Sequence, residues 1–208
     1  MSGRSKSSGR WLKEHFADPF VQRAKSNGWR SRAVFKLEEI DRREKLLRPG
    51  QMCLDLGAAP GAWSQYAKQR VGRSGRVIAT DLLEMPPMTG VEFVQGDFRE
   101  SEVVEALLAL CPQRGVDVLL SDMAPNLSGV DAIDQPRSMY LSELALELTQ
   151  RVLKPEGAAL IKVFQGAGFE ELVRQARLKF ATVKFIKPQA SRSRSPEIYL
   201  LAKAFVMV

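Results

Sequence analysis

The sequence predicts an α/β fold built on a doubly wound, mostly parallel sheet of seven strands, with helices on both faces. Short apolar runs alternate with longer amphipathic stretches from residue 52 onward, as is typical of strand–helix–strand units. Only an irregular basic loop joins the last two predicted strands, so we expect an antiparallel last strand. A chain of 208 residues, 45% of them hydrophobic, is long enough to bury the core of one such domain.

The individual elements follow from hydrophobic spacing. Apolar residues recur at helical intervals between residues 31 and 47 and predict a helix, which Pro49 and Gly50 end. Strands are predicted over residues 52–56, 76–80, 91–94, 116–120, 158–164, 183–186 and 197–202. Further helices are predicted over residues 61–71, 102–110, 138–153 and 169–180.

Residues 1–29 are predicted to form a basic, partly flexible arm, and residues 30–208 a single domain. The first ten residues carry charge but no apolar segment, so they do not resemble a secretory signal. No run approaches the ~18 apolar residues of a membrane span. Cys53 and Cys111 lie in apolar runs without disulfide or metal-ligand spacing. We therefore expect a cytoplasmic protein without a metal site.

The charge is concentrated at the two ends of the chain. Residues 1–50 have a net charge of +7, residues 51–171 of −7 and residues 172–208 of +7. This asymmetry is typical of proteins that bind nucleic acids, and a solvated basic surface is the alternative that stays open. Short side chains around Arg30 and Arg32, and within residues 191–195, are expected to leave guanidinium groups free for phosphates. Four aromatic residues of the arm either stack on bases or pack onto the domain, and we favour packing for at least two: Trp11, Phe16, Phe20 and Trp29.

A glycine-containing loop follows the first strand, and ligands of doubly wound sheets bind at this edge. Gly57 and Gly61 permit close approach of a ligand to the backbone. The loop lacks the Gly-x-Gly-x-x-Gly pattern of dinucleotide-binding proteins, and Asp55 suits a cationic ligand better than a pyrophosphate.

Two further acidic residues follow the next two strands. Asp81 lies near the spacing of about 20 residues at which an acidic side chain binds a ribose diol, and Asp97 follows the third strand. Each aspartate alone is more often a turn or helix cap. Three carboxylates at successive strand ends predict a ligand with an adenosine and a positive charge, and S-adenosylmethionine fits that description.

The fourth and fifth strands carry the catalytic candidates. Lys162 lies inside an apolar strand, where a charge is costly unless it is paired. It forms either a structural ion pair with Asp122 or a catalytic pair beside the methyl donor. Spacing alone gives Lys36 and Glu197 no special role. The sole histidine, His15, falls in the arm, which leaves histidine-based chemistry little support.

Four segments together resemble the FtsJ/RrmJ (RlmE) family of ribosomal RNA 2′-O-methyltransferases. They begin at Asp55, Ser121, Lys162 and Ser191 and read DLGAAPGAWSQ, SDMAPN, KVFQG and SRSRSPE. The resemblance implies a Rossmann-like S-adenosylmethionine-dependent methyltransferase fold. It also implies, as acceptor, the ribose of a uridine in the A-loop of 23S rRNA, on the large ribosomal subunit.

The resemblance also assigns roles to residues. Its catalytic tetrad corresponds to Lys36, Asp122, Lys162 and Glu197, and its donor-binding positions to Gly61, Trp63, Asp81, Asp97 and Asp122. We expect Lys162 to be the base and Asp122 to orient it. Methylation of another RNA such as tRNA, or a non-catalytic RNA-binding role in ribosome assembly, stays open, and a dehydrogenase is disfavoured. No heptad seam is visible, so a monomer is expected.

Overall fold

The computed structural model describes residues 18–126, 128–192 and 195–206. Strands and helices alternate along this part of the chain. The strands are β1 (Met52–Leu56), β2 (Arg76–Asp81), β3 (Val91–Gln95), β4 (Val116–Ser121), β5 (Leu153–Phe164), β6 (Phe180–Ile186) and β7 (Glu197–Phe205). The helices are α1 (Pro19–Ser26), α2 (Val34–Glu44), α3 (Ala62–Val71), α4 (Ser101–Leu110), α5 (Asp131–Val152) and α6 (Phe169–Lys179).

The seven strands form one sheet in the order β3-β2-β1-β4-β5-β7-β6. Strands β1 to β5 pair in parallel, whereas β7 runs antiparallel to both β5 and β6. Helices α4, α5 and α6 cover one apolar face of the sheet, and α2 and α3 cover the other. The predicted fold, mostly parallel with an antiparallel last strand, is confirmed.

Helix α5 and strand β5 begin at least five residues earlier than predicted. Helix α5 starts seven residues before the predicted position and contains Pro136. The Asp134 carboxylate accepts hydrogen bonds from the backbone N–H groups of Ser128 and Gly129 (2.8 and 2.9 Å), which fixes the start of the helix. Strand β5 includes the predicted turn over residues 154–157 as a bulge, because Val116 pairs with Leu153 but Val118 pairs with Ala158.

The described part of the arm is packed against the domain. Asp18 caps α1 by accepting a hydrogen bond from the Phe20 N–H (2.9 Å). The Phe20 ring lies 5.6 Å from Phe35, and the Trp29 ring lies 6.1 Å from Tyr66. Packing is thereby confirmed for two of the four aromatic residues, whereas Trp11, His15 and Phe16 lie outside the described residues. The division into an arm and a domain stays a prediction.

Cys53 and Cys111 are free thiols, the first of them fully buried. In residues 18–206, apart from the gaps given above, no helix is long and apolar enough to cross a membrane. The same residues contain no group of three or more His, Cys, Asp or Glu side chains arranged to hold a metal ion.

Candidate active site

Strand register brings the four predicted catalytic residues to the edge where the parallel strands end. Asp122 directly follows β4, and Lys162 lies near the end of the adjacent β5. Because β7 is antiparallel, it begins at this edge, and Glu197 pairs there with Phe164. Helix α2 supplies Lys36 from the adjoining face of the sheet.

The two lysines and two carboxylates form one compact cluster. Lys162 Nζ lies 2.8 Å from Asp122 Oδ1 and 3.9 Å from Glu197 Oε2. Lys36 Nζ lies 2.7 Å from Glu197 Oε1 and 3.8 Å from Asp122 Oδ1. Each lysine therefore contacts both carboxylates, and the cluster is formally neutral. Only 6% of the Lys162 side chain is exposed, so its ammonium depends on these partners and on the Asp122 carbonyl, to which it donates at 2.7 Å.

Two further residues, which were not predicted from the sequence, bind the carboxylates of this cluster. The Tyr199 hydroxyl donates to Asp122 Oδ1, and the Ser191 hydroxyl donates to Glu197 Oε1 (2.8 Å). Tyr199 lies two residues after Glu197 on the same strand, so the two-residue period of a strand could have placed both side chains on one face. Ser191 precedes an irregular loop, and no periodic signal connects it to the cluster.

The electrostatics of the cluster favour the ionised form of Asp122 and the neutral form of Tyr199. Burial opposes ionisation of Asp122, but the charges of Lys162 and Lys36 outweigh it and lower the pKa of this carboxyl. Burial, followed by the Asp122 and Glu197 carboxylates, raises the pKa of Tyr199 well above its usual range. At neutral pH Asp122 is therefore ionised, and Tyr199 keeps the proton that it donates.

An open cleft of about 870 Å³ adjoins the cluster on the side of Lys36 and Glu197. Its walls come from the start of α2, from α5 and from the segments that flank β5 and β7. Most of the residues that line it have polar side chains, among them Ser31, Arg32, Gln135, Ser138, Gln165 and Arg192, and Phe164 contributes an aromatic ring. Lys36 and Glu197 are thus accessible to a large polar molecule that enters this cleft.

The loop after β1 is fixed against the end of β2. Asp81 accepts hydrogen bonds from the Ala59 and Leu83 N–H groups, both at 2.8 Å. Gly57 and Gly61 have φ values of 73° and 103°, which favour glycine. A Cβ atom at Gly57 would lie 2.6 Å from the Met123 side chain, and one at Gly61 would lie 2.8 Å from Met85 Sδ. The loop therefore requires glycine at both positions.

Asp55 is a buried carboxylate with one unpartnered oxygen. Ser64 Oγ donates to Asp55 Oδ2 (2.6 Å), whereas Oδ1 has no hydrogen-bond partner among the described residues. Burial raises the pKa of this carboxyl to about 7, and the Ser64 hydrogen bond only partly opposes that rise. A cation beside Oδ1 would favour the ionised form.

Asp97 and Trp63 are engaged within the chain. Arg99 binds the Asp97 carboxylate through its guanidinium and lowers the pKa of that carboxyl. The Trp63 side chain is buried, and its Nε1 donates to the Ala33 carbonyl (2.8 Å). Trp63 therefore offers a ligand its backbone N–H, which lies in the first turn of α3, where such groups have no intrahelical acceptor. The ligand-binding roles of both residues stay predictions.

A family model described as FtsJ-like methyltransferase matches residues 29–205. The chain belongs to this family. Relatives named "Ribosomal RNA large subunit methyltransferase E" are 56% identical over 202 residues in Legionella pneumophila (strain Corby), covering 97% of this chain and 98% of the relative. A relative of the same name in Xanthomonas oryzae pv. oryzae (strain PXO99A) is 55% identical over 203 residues, which cover 98% of this chain and 97% of the relative. A solved structure described as a putative ribosomal RNA methyltransferase from Plasmodium falciparum has a TM-score of 0.76 at 28% identity, covering 85% of this chain and 98% of that one.

As an FtsJ-like methyltransferase, the chain requires a methyl donor, and the loop after β1 fits one. The two glycines permit the positive φ values that shape this loop, and the unpartnered Asp55 oxygen is suited to a positive charge nearby. Asp122 faces the lysine cluster and immediately follows β4, the neighbour of β1. A donor held at this loop would therefore lie next to the cluster.

Proposed function

We propose that this methyltransferase transfers a methyl group from S-adenosylmethionine to the 2′-oxygen of a uridine ribose in the A-loop of 23S rRNA. The observation that carries the proposal is the cluster of Lys36, Asp122, Lys162 and Glu197 between the donor loop and the polar cleft. The names of the relatives support a ribosomal RNA of the large subunit as acceptor. We further infer a monomeric, cytoplasmic enzyme that supports ribosome assembly.

S-adenosylmethionine supplies an electrophilic methyl group on a sulfonium, so alignment and deprotonation of the hydroxyl are left to the protein. Lys162 Nζ must first release a proton to solvent, and we assign the resulting neutral amine as the acceptor of the 2′-hydroxyl proton. Asp122 and its carbonyl orient this amine, and Lys36, held by Glu197 at the mouth of the cleft, positions the ribose oxygen. Tyr199 and Ser191 fix the two carboxylates.

Asp81 is expected to contribute to donor affinity. Replacing Asp81 by alanine removes the acceptor for the N–H groups of Ala59, in the loop after β1, and Leu83, in the loop after β2. It also removes a carboxylate suited to a ribose diol. We expect the Kd for S-adenosylmethionine to rise about tenfold or more by titration calorimetry. Glu92→Ala, on neighbouring β3, removes an exposed ion pair with Arg76 and serves as control. Equal affinities of Asp81→Ala and the wild type would exclude this role.

Binding of RNA is expected to weaken steeply with salt, because we expect its phosphates to contact cationic side chains of the cleft. Arg192 lines the cleft, and its guanidinium has no ion-pair partner in the described part of the chain. For an A-loop RNA, Arg192→Ala should reduce the slope of log K against log salt by about 0.7, the value for one phosphate contact. The control is Arg114→Ala, an exposed arginine before β4 at the opposite end of the strands. An unchanged slope for Arg192→Ala would contradict a phosphate contact there.

The experiment that tests the function is transfer of labelled methyl from S-adenosylmethionine to three acceptors. These are unmodified large ribosomal subunits, free 23S rRNA and bulk tRNA. Label in 23S rRNA, free or in the subunit, supports the proposal, whereas label only in tRNA would show that the protein methylates tRNA instead. Donor binding without any transfer would favour the RNA-binding assembly factor.

A further inference from the structure

Two arginines of the segment Arg30-Ser31-Arg32 bind loops on different sides of the active site. The Arg30 guanidinium donates to the carbonyls of Pro60, Pro86 and Pro87 at 3.1, 2.7 and 2.9 Å. Pro60 belongs to the donor loop after β1, and the other two prolines belong to the segment between β2 and β3. One guanidinium thus joins the two loops that flank Asp81.

Arg32 makes the corresponding contacts on the acceptor side. It donates to the Ala190 carbonyl (2.6 Å) and pairs with Asp18 at 3.0 Å. Ala190 precedes Ser191, whose hydroxyl donates to the Glu197 carboxylate in the catalytic cluster. Arg32 also lines the cleft, and 17% of its side chain is exposed. The expectation that both guanidinium groups are free for phosphates is therefore wrong, because backbone carbonyls and a carboxylate occupy them.

The backbone is held against α3 on both sides of this segment. The Arg30 N–H donates to Gln65 Oε1 (3.1 Å), and the Gln65 amide donates to the Gly28 carbonyl (3.0 Å). On the other side of the segment, Trp63 donates to the Ala33 carbonyl. A displacement of either loop therefore cannot be absorbed by free movement of this segment.

We propose that Arg30 and Arg32 form a brace that sets the position of two donor loops, residues 57–61 and 82–90, relative to residues 187–192 on the acceptor side. The inference rests on the proposed function, because in-line methyl transfer depends on the alignment of donor and acceptor. Both are positioning residues. Arg30 acts through the donor loops, and Arg32 acts through the loop that carries Ser191.

The two ends of the brace can be measured separately. Arg30→Ala should raise the Kd for S-adenosylmethionine about tenfold and speed hydrogen exchange in residues 82–90. Arg32→Ala should leave this Kd within about twofold of the wild type, speed exchange in residues 187–192, and lower kcat at saturating donor and acceptor by about tenfold. Arg30→Lys tests the geometry, because the guanidinium donates from two separate nitrogens, Nη1 to Pro60 and Pro86 and Nη2 to Pro87, whereas an ammonium donates from one. This variant should therefore show most of the same loss of donor affinity.

A double variant distinguishes one brace from two independent contacts. If alignment is a single property, Arg30→Ala should also lower kcat at saturating donor, and the kcat of Arg30→Ala/Arg32→Ala should be close to that of the less active single variant, whereas independent effects multiply. Arg70→Ala removes an ion pair between α3 and buried Asp41. It is the control for general destabilisation and should change neither donor affinity nor exchange in the two loops.

Unchanged donor affinity in Arg30→Ala, or a kcat loss in the double variant equal to the product of the single losses, would overturn the brace. So would a loss of donor affinity in Arg70→Ala as large as that in Arg30→Ala. Calorimetry and hydrogen exchange need no RNA. They therefore test whether the two arginines hold these loops independently of methyl transfer. Failure of the protein to methylate any of the three acceptors would count against the proposed function but not against the brace.

Discussion

Replacing Lys162 by alanine is expected to reduce methyl transfer at least about 100-fold, the usual contribution of a positioned base. Lys162 Nζ is buried 2.8 Å from the Asp122 carboxylate and 2.7 Å from its carbonyl, whereas Lys36 Nζ is held 2.7 Å from Glu197 and lies 3.8 Å from Asp122. The measurement is single-turnover transfer at saturating S-adenosylmethionine. Donor affinity should stay within about threefold of the wild type, because the amine contacts the cluster rather than the donor loop.

The control for this variant lies on the same strand. Lys154→Ala removes an ion pair with Asp117 at the far end of β5, so it changes the strand but not the active site. Lys162→Met retains most of the side-chain volume and should be as inactive as Lys162→Ala. Transfer by either Lys162 variant at the rate of Lys154→Ala would refute the assignment of Lys162 as base.

Asp55→Asn is expected to change the pH dependence of stability by up to about 4 kcal/mol. Burial gives this carboxyl a folded-state pKa of about 7, above its value of about 3.9 in the unfolded chain. As pH rises from 4 to 7, the unfolded state loses the proton while the folded state keeps it. The wild type therefore loses stability over this interval, whereas the asparagine at position 55 does not titrate.

The free energy of unfolding of both proteins, measured without donor at pH 4 and pH 8, tests this expectation. The difference between variant and wild type should shift in favour of the variant at the higher pH. The variant should also bind S-adenosylmethionine more weakly at pH 8, because it lacks the negative charge beside the donor loop. A stability difference that does not change with pH would show that Asp55 is already ionised in the donor-free protein.

The contact between Asp122 and Lys162 could be predicted from the sequence. Neighbouring parallel strands end at one edge of the sheet, and a lysine in an apolar strand needs a partner. Lys36 and Glu197 could be placed only through the family resemblance. One comes from a helix that precedes the sheet, and the other comes from the antiparallel strand, so neither has a spacing that relates it to Asp122.

The role of Arg30 could not be predicted, because its acceptors are backbone carbonyls of Pro60, Pro86 and Pro87 in loops distant along the chain. Every residue has a backbone carbonyl, so the sequence does not indicate which of them accepts a hydrogen bond from Arg30. The early start of α5 has a similar cause. Pro136 indicates a boundary from sequence, whereas the Asp134 carboxylate stabilises the start of the helix through contacts visible only in the structure.

The central claim is that the lysine–carboxylate cluster methylates a ribose oxygen rather than a base. The most direct test is alkaline digestion of 23S rRNA labelled by this protein, because a 2′-O-methyl group blocks cleavage of the adjacent phosphodiester. We expect label in a single alkali-resistant dinucleotide that begins with uridine, and none after reaction with Lys162→Ala. Label released as a mononucleotide would show that a base was methylated and would contradict 2′-O-methylation by this cluster.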